Sequence, residues 1–334
     1  MSMAADYGQK RSFTKTPEPP PAVAGDVDPA AATPGRTFVI HQHHARRLHF
    51  DLRLEMLNGD VPVLVSWAVP KNLPTRPKEK TLAIHVEDHP FEYGSFRGTI
   101  PAGNYGAGEV RIFDSGTYEM LDQKKGKLTF RLEGQRLKGV WHLVQTSRDE
   151  NENWLAILSE WEGDEPDPLP PLRPMLATAE DSAFDDPEWT FEPLWEGMRA
   201  IAVCEKDTKL VRADGAEITP EGKLGKIHDR LVALNAVVDG VIGRAGDAVF
   251  YVAFDLLYID GKTVTEEPLS KRQAALAEGV VPAEFLQVSP SVPATGTAVL
   301  AAARQNGLTG IVAKRLSSSY RPGPSSDWRR IDAQ

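Results

Sequence analysis

Leu48-His49-Phe50-Asp51-Leu52-Arg53-Leu54-Glu55 alternates apolar and polar residues without a break. That is the period of a β-strand, whose successive side chains point to opposite faces. Leu48, Phe50, Leu52 and Leu54 are expected to face a core, while His49, Asp51, Arg53 and Glu55 share the other face. His43 lies just upstream. Two imidazoles and one carboxylate suit a borderline divalent ion such as Mn²⁺, Zn²⁺ or Fe²⁺ with coordination positions left open, and an Arg one pleat further on suits a phosphate oxygen. The plainer alternative is a polar strand face with incidental histidines, which are common on surfaces. Several ligand types and an Arg on one face, opposite a uniformly apolar one, weigh against it. The stretch reads as a metal-assisted phosphoryl site.

The same texture extends outward. Segments 38–40, 61–69, 81–86, 108–113, 127–132, 138–146 and 154–159 read as short strands separated by Gly, Asn, Asp and Pro at hairpin-like intervals. That spacing predicts a small, mainly β antiparallel barrel or sandwich over 36–162. Residues 1–35 are rich in Pro, Ala and Asp and are expected to be a flexible tail. The run Gly163-Asp164-Glu165-Pro166-Asp167-Pro168-Leu169-Pro170-Pro171 reads as a linker over 163–171. From 172 to 334 the pattern becomes α+β, with helices expected at 223–236, 270–278 and 298–306 and strands at 200–203, 249–254 and 310–313.

Composition agrees with two domains: 334 residues, 41% hydrophobic, supply ordinary cores. A net charge of −9, spread so that neither half is basic, argues against coating a long duplex. A locally basic pocket around Arg46, Arg47, Arg53 and Lys71 could still hold one strand end. The single cysteine, Cys204, excludes an internal disulfide and a Cys-based zinc site, so a reducing compartment is expected. The apolar runs fall short of a membrane span, and the basic residues near the N-terminus precede no apolar core. The expected location is cytoplasmic, with no membrane partner.

At this point the residues carry a resemblance. Phe38-Val39-Ile40, the run His43 to Glu55, Ser66-Trp67-Ala68-Val69-Pro70-Lys71, His85-Val86-Glu87-Asp88-His89-Pro90 and the Gly-rich run Gly98 to Gly108 with Tyr105 resemble the 3′-phosphoesterase module of bacterial DNA ligase D, over about residues 11–159. The resemblance implies a small β-barrel with Mn²⁺, or another divalent metal, on His43, His49 and Asp51. It further implies that Arg53, Lys71 and His89, with Tyr93 nearby, grip the phosphate or assist the leaving group. Each role makes physical sense: cations neutralise phosphoryl oxygens, and a histidine can donate to a departing oxygen. The arm Lys10 to Pro19 is similar to the family's N-terminal arm, which implies that Arg11 and Glu18 contact a 3′ ribonucleoside. Ser12 stands where that family usually has Asp.

The second half resembles the nucleotidyltransferase domain of ATP-dependent DNA ligases. The matching residues are Pro174-Met175-Leu176-Ala177, Trp189 to Ala200, Val238-Asp239-Gly240, Phe254-Asp255-Leu256-Leu257-Tyr258 and Gly310-Ile311-Val312-Ala313-Lys314. It departs from that family at the chemistry. Leu194 stands where the lysine nucleophile belongs, and an alkyl chain cannot form the phosphoramide. Val241 and Thr309 replace two carboxylates, and Asp332 replaces a lysine. With no oligonucleotide-binding barrel following Gln334, the expectation is a degenerate, pseudo-ligase domain that does not use ATP.

The sequence thus predicts a metal-dependent phosphoesterase acting on DNA or RNA–DNA 3′ ends in non-homologous end joining. The resemblance implies Ku and a competent ligase or polymerase as partners in trans. Two alternatives stay open, an active ATP-dependent DNA ligase and a non-catalytic module that binds DNA ends or partners.

Overall fold

The computed structural model describes residues 7–11, 13–20, 37–146 and 153–333. The chain divides into two compact units, Met1–Asp164 and Glu165–Gln334. Among its described residues the first contains nine strands: β1 (Thr37–His44), β2 (Leu48–Asn58), β3 (Val61–Val69), β4 (Lys80–Pro90), β5 (Gly98–Ile100), β6 (Gly108–Lys124), β7 (Lys127–Gly134), β8 (Lys138–Gln145) and β9 (Asn153–Trp161). They pair in the order β1-β2-β3-β4-β9-β8-β7-β6, all antiparallel, and β6 returns to β1 to close an eight-stranded barrel with β5 added beside β6. Closure leaves few free strand edges. Ile40, Leu52, Leu54, Phe130, Trp141, Leu143 and Leu158 are wholly buried in the apolar core of this barrel, and Phe50 meets Phe113 edge to face.

The register Ile40↔Leu52, His41↔Asp51 and His43↔His49 puts the polar residues of β1 and β2 side by side on the opposite face. The sequence suggests that this face meets solvent, yet Asp51, Arg53 and Glu55 are all buried. A second layer covers it. The 3₁₀ turn Phe91–Ser95 brings in Tyr93, and Tyr7 and Phe13 join Val39, Leu64, Tyr93, Phe96 and Ile112 in a small apolar cluster. The expected tail is therefore docked over 7–11 and 13–20, where Tyr7, Thr16 and Glu18 are buried. A single arginine and aromatic pair can anchor a Pro-rich arm that has no core of its own. The substitution expected to matter at Ser12 lies outside the described residues.

The second unit contains β10 (Met175–Ala179), β11 (Trp189–Pro193), β12 (Met198–Cys204), β13 (Thr208–Arg212), β14 (Glu217–Ile218), β15 (Ala236–Ala245), β16 (Ala248–Ile259) and β17 (Lys262–Thr263). Helix α1 (Leu269–Gly279), β18 (Leu286–Val288), β19 (Val292–Pro293), helix α2 (Gly296–Gln305), β20 (Gly310–Arg315) and β21 (Gly323–Asp332) complete it. One sheet runs β14-β13-β12-β15-β16-β17 with β18 beside β16, and the other runs β10-β21-β20-β11-β19. The first sheet is apolar on both faces: Ala200, Ala202 and Tyr251 pack toward Leu276 of α1, while Ile201, Val237 and Val241 pack with Met175 and Trp328. The Pro-rich segment is tied to this unit, since Asp167 accepts from the Thr263 amide and Tyr258 Oη donates to the Asp167 carbonyl.

Two of the expected helices form, and the third does not. Residues 223–236 make two short 3₁₀ turns, Gly222–Lys226 and His228–Arg230, before β15 begins. The His228 amide bonds the Thr208 hydroxyl at 3.0 Å instead of a carbonyl of its own turn, and Gly222 and Gly225 weaken helix continuation. Among the described residues, no helix is long and apolar enough to cross a membrane.

Candidate metal and phosphoester site

His43 is the last but one residue of β1 and His49 the second of β2, and they pair across the hairpin, so the short turn sets two imidazoles 4.7 Å apart, centroid to centroid. His43 Nε2 lies 2.8 Å from the Gly106 carbonyl, and His49 Nδ1 lies 3.0 Å from the Arg47 carbonyl. A carbonyl only accepts, so each of these nitrogens carries the proton and donates. In the neutral rings that metal ligation requires, the other nitrogen of each holds a lone pair, and both of these nitrogens are turned toward Asp51. His43 Nδ1 is 3.9 Å from Asp51 Oδ2, and His49 Nε2 is 3.7 Å from Asp51 Oδ1.

Lone pairs aimed at a carboxylate repel unless a cation lies between them. The three ligand atoms fall within 4.8 Å of one another. Around one divalent ion at bonds of about 2.1 Å, neighbouring ligand atoms stand about 3.0–3.5 Å apart, so the widest pair would close by about 1.3 Å or more, and the two histidine–aspartate pairs by less, to complete the set. Backbone carbonyls holding the distal N–H of each imidazole are the usual outer support of a metal-ligating histidine. Burial, more than any neighbouring charge, holds His43 below the ordinary histidine range and so keeps it neutral, as a ligand must be. Burial pushes the Asp51 carboxyl up, but Arg53 first and then His49 and His43 outweigh it, leaving Asp51 below the ordinary carboxylate range.

Arg53 supports this set from beneath. Its Nη2 donates to Asp51 Oδ2 at 3.0 Å, Nη1 to Ser66 Oγ at 2.8 Å and Nε to His41 Nδ1 at 3.2 Å, with the guanidinium 4.9 Å from the Tyr93 ring. Its side chain is 3% exposed. The sequence reading gives Arg53 to the phosphate; here it holds the carboxylate ligand, because three acceptors already claim the fork. Tyr93 likewise lies under the site, edge-on to His41 and His89. His41, to which the sequence reading assigns no role, is fully buried and driven down to about 3 by burial, with Arg53 beside it.

His89 donates Nδ1–H to the Glu87 carbonyl at 2.9 Å, so its Nε2 accepts from Arg11 Nη2 at 3.4 Å. Burial first, then Arg53 and Arg11, hold it well below the usual histidine range. In this arrangement the expected donation from His89 to a leaving oxygen is not available, since Nε2 carries the lone pair. Arg11 itself is the hub of the arm: it donates to Glu18 at 2.9 Å, to Glu87 at 3.2 Å and to the Tyr7 carbonyl at 3.2 Å. Lys10 adds a 2.9 Å bond to Glu87. Glu18 is buried, consistent with a bracing position for Arg11.

The remaining predicted cations are exposed. Arg46 and Arg47 form the β1–β2 turn. Lys71 follows β3, whose Ala68 pairs with Asp51, so Lys71 leaves the barrel at the His49 end of β2. His41, Glu87 and Tyr7 were missed. The i, i+2 spacing of His41 with His43, and of Glu87 with His89, would have found two of them once both strands are read at full length.

In the second unit, Leu194 N–H bonds the Gly310 carbonyl, Gly310 pairs with Asp332, and Ala333 N–H bonds the Thr309 carbonyl, so three of the four divergent positions meet at one sheet end. Val241 lies on the other sheet, paired with Arg199. The cations that remain are paired internally. Arg199 meets Asp239 at 2.6 Å, Lys314 meets Glu192 at 2.9 Å, and Arg330 meets Asp332 at 2.7 Å. Burial pushes the Asp239 and Glu192 carboxyls above their ordinary range despite those partners.

Residues 41–145 match the family model described as the DNA ligase D 3′-phosphoesterase domain. The barrel of the N-terminal unit is similar to that family over most of its strands. Residues 223–331 match the ATP-dependent DNA ligase domain, so the phosphoesterase domain is followed by a ligase-type one. The chain is 38% identical to the multifunctional non-homologous end joining DNA repair protein LigD of Mycobacterium tuberculosis, covering 95% of this chain and 43% of that protein. It is 31% identical to LigD of Pseudomonas aeruginosa, covering 99% and 47%. The chain thus spans about half the length of the curated relatives it matches. Among solved structures, a mycobacterial DNA ligase D complexed with ATP and MES is 28% identical, with a TM-score of 0.42 over 48% of this chain and 60% of that one.

Proposed function

We propose that this chain is a divalent-metal-dependent phosphoesterase that clears 3′-phosphates, and terminal ribonucleosides, from DNA ends during non-homologous end joining. The observation that carries the reading is the pair of histidine lone pairs turned onto Asp51, each fixed by a carbonyl behind its ring. His43, His49 and Asp51 would hold Mn²⁺ or a similar ion, which would supply Lewis acidity there. The protein's own residues do the rest. Arg53 and Ser66 hold Asp51 in register, and burial keeps His43 unprotonated. Arg46, Arg47 and Lys71, exposed at the same end of the barrel, are placed to meet the phosphates of an entering strand. Arg11, buried and balanced by Glu18 and Glu87, braces the docked arm against His89.

The ligase-type domain, in this reading, neither carries an adenylate nor consumes ATP. Leu194 offers no nucleophile, and Arg199 and Lys314 are neutralised by buried acids. A ligase or polymerase acting in trans, recruited with an end-binding partner such as Ku, would use the 3′-hydroxyl released in the cytoplasm.

The test is incubation of the purified chain with Mn²⁺ and a primer-template ending in a 3′-phosphate. Release of inorganic phosphate that stops with a chelator is expected. No release with Mn²⁺, Zn²⁺ or Fe²⁺ would refute the reading.

A further inference from the structure

The Gly-rich run Pro101 to Gly108 is left partly unexplained by the metal site. It folds back through Asn104 N–H to the Pro101 carbonyl and Ala107 N–H to the Asn104 carbonyl, with Gly103 and Gly106 at positive φ. At Gly108 a Cβ would stand 2.3 Å from the His44 carbonyl oxygen, so the loop is pressed directly against the end of β1. Its Gly106 carbonyl holds His43. The residue before Gly106 is Tyr105, 51% exposed, whereas Tyr7 and Tyr93 beside the same site are buried. The Tyr105 ring lies 5.3 Å from Lys10 Nζ and 5.2 Å from the Arg11 guanidinium.

We propose that Tyr105 is the stacking platform for the terminal nucleobase of the 3′ end, presented one residue from the carbonyl that orients His43. The inference rests on the reading of the site as a 3′-end phosphoesterase. Three features converge. A large aromatic ring is left open at the mouth of a site. Its backbone is fixed by the turn that anchors a metal ligand, so its position is coupled to the reacting centre. Two cations adjoin the ring, Arg11 buried and paired with Glu18 and Glu87, and Lys10 partly exposed on Glu87, so Lys10 is the one that phosphates flanking a stacked base would pass. Aromatic rings next to cationic side chains are the standard means of holding a single-stranded nucleotide without reading its identity. Tyr105 is a binding residue in this scheme, and sequence preference at the terminal base should be weak.

The experiment is a cycle between the ring and the base. Wild type, Tyr105→Ala and Tyr105→Phe are compared on primer-templates whose 3′-phosphate is carried by an ordinary terminal nucleotide or by an abasic one. Tyr105→Ala should raise KM about 10-fold or more on the base-bearing end, with kcat changed less, and Tyr105→Phe should restore wild-type KM. On the abasic end wild type and Tyr105→Ala should coincide. Equal penalties on both ends would overturn the proposal, because they would mean that the ring only braces Lys10 and Arg11. If wild type releases no phosphate, the functional reading falls, and the anisotropy of a labelled end decides the stacking. A base-dependent loss of binding in Tyr105→Ala supports the proposal, and its absence overturns it.

Discussion

In the barrel, two imidazoles turn toward one carboxylate; Arg53 balances that carboxylate from beneath at 3.0 Å but, among the described residues, no cation stands between the three ligand atoms. In the ligase-type unit, Arg199, Lys314 and Arg330 each meet an acid of the same unit at 2.6–2.9 Å. The two regions contain similar inventories of charged and ligating residues. They differ in whether those groups are satisfied. A cluster whose electrostatics closes on itself is a scaffold, and a cluster that is incomplete without a cation or an anion is poised for one. In the ligase-type unit, internal ion pairs support the sheets whether or not a substrate arrives.

The largest effect expected is on catalysis. His49→Ala removes a ligand whose side chain is 26% exposed, so phosphate release should fall more than ~100-fold while thermal unfolding barely moves. A variant that keeps its rate would break the contrast, since the convergent lone pairs would then be incidental. Next comes Arg53→Ala, which strands Asp51, Ser66 and His41 in a buried setting and should cost about 3–5 kcal/mol in urea unfolding. Arg53→Lys should recover little of it, because one ammonium cannot reach three acceptors at once. An unfolding midpoint equal to the parent's in either variant would show that Arg53 does not hold Asp51.

A smaller effect concerns the arm. Burial raises the Glu87 carboxyl, but bonds from Lys10 and Arg11 outweigh this and hold it below the ordinary glutamate range. A carboxyl depressed in the docked state stabilises docking fully above its free value, and that contribution disappears as pH falls through the depressed one. Amide hydrogen exchange over residues 7–20, corrected for intrinsic rates, should therefore show protection at neutral pH that fades on acidification below about pH 4. Glu87→Gln should weaken protection by roughly 1 kcal/mol at pH 7 and flatten that acid dependence. Protection that fades with the same profile in Glu87→Gln would move the linkage to another group.

The smallest effect is expected in the second unit. Leu194→Lys should remain unlabelled by α-³²P-ATP, because Val241, Thr309 and Asp332 still oppose a bound triphosphate and such losses act on one reaction. A stable protein adenylate from that variant would erase the distinction between the units.

Alternation in β2 was enough to place His49, Asp51 and Arg53 on one face, since a strand's period is independent of what surrounds it. The barrel strands, α1 and α2 were legible for the same local reason. What covers a face is another matter. That Arg11 reaches Glu87, 76 residues away, and that Tyr7 is buried against Tyr93, follow from chain closure and not from any period. Only tertiary structure decided that Arg53 braces Asp51 and that His89 Nε2 meets Arg11, because Ser66 and His41 on neighbouring strands consume the rest of the guanidinium fork and Arg11 lies 78 residues from His89. The same holds for 223–236, where a hydroxyl of β13 takes the amide that a helix would have used. Sequence determined the candidate ligand set and the leucine at position 194, where the ligase resemblance leads one to expect a lysine, both properties of residue type. The fold determined which charges are left unsatisfied, which is a property of three-dimensional neighbours.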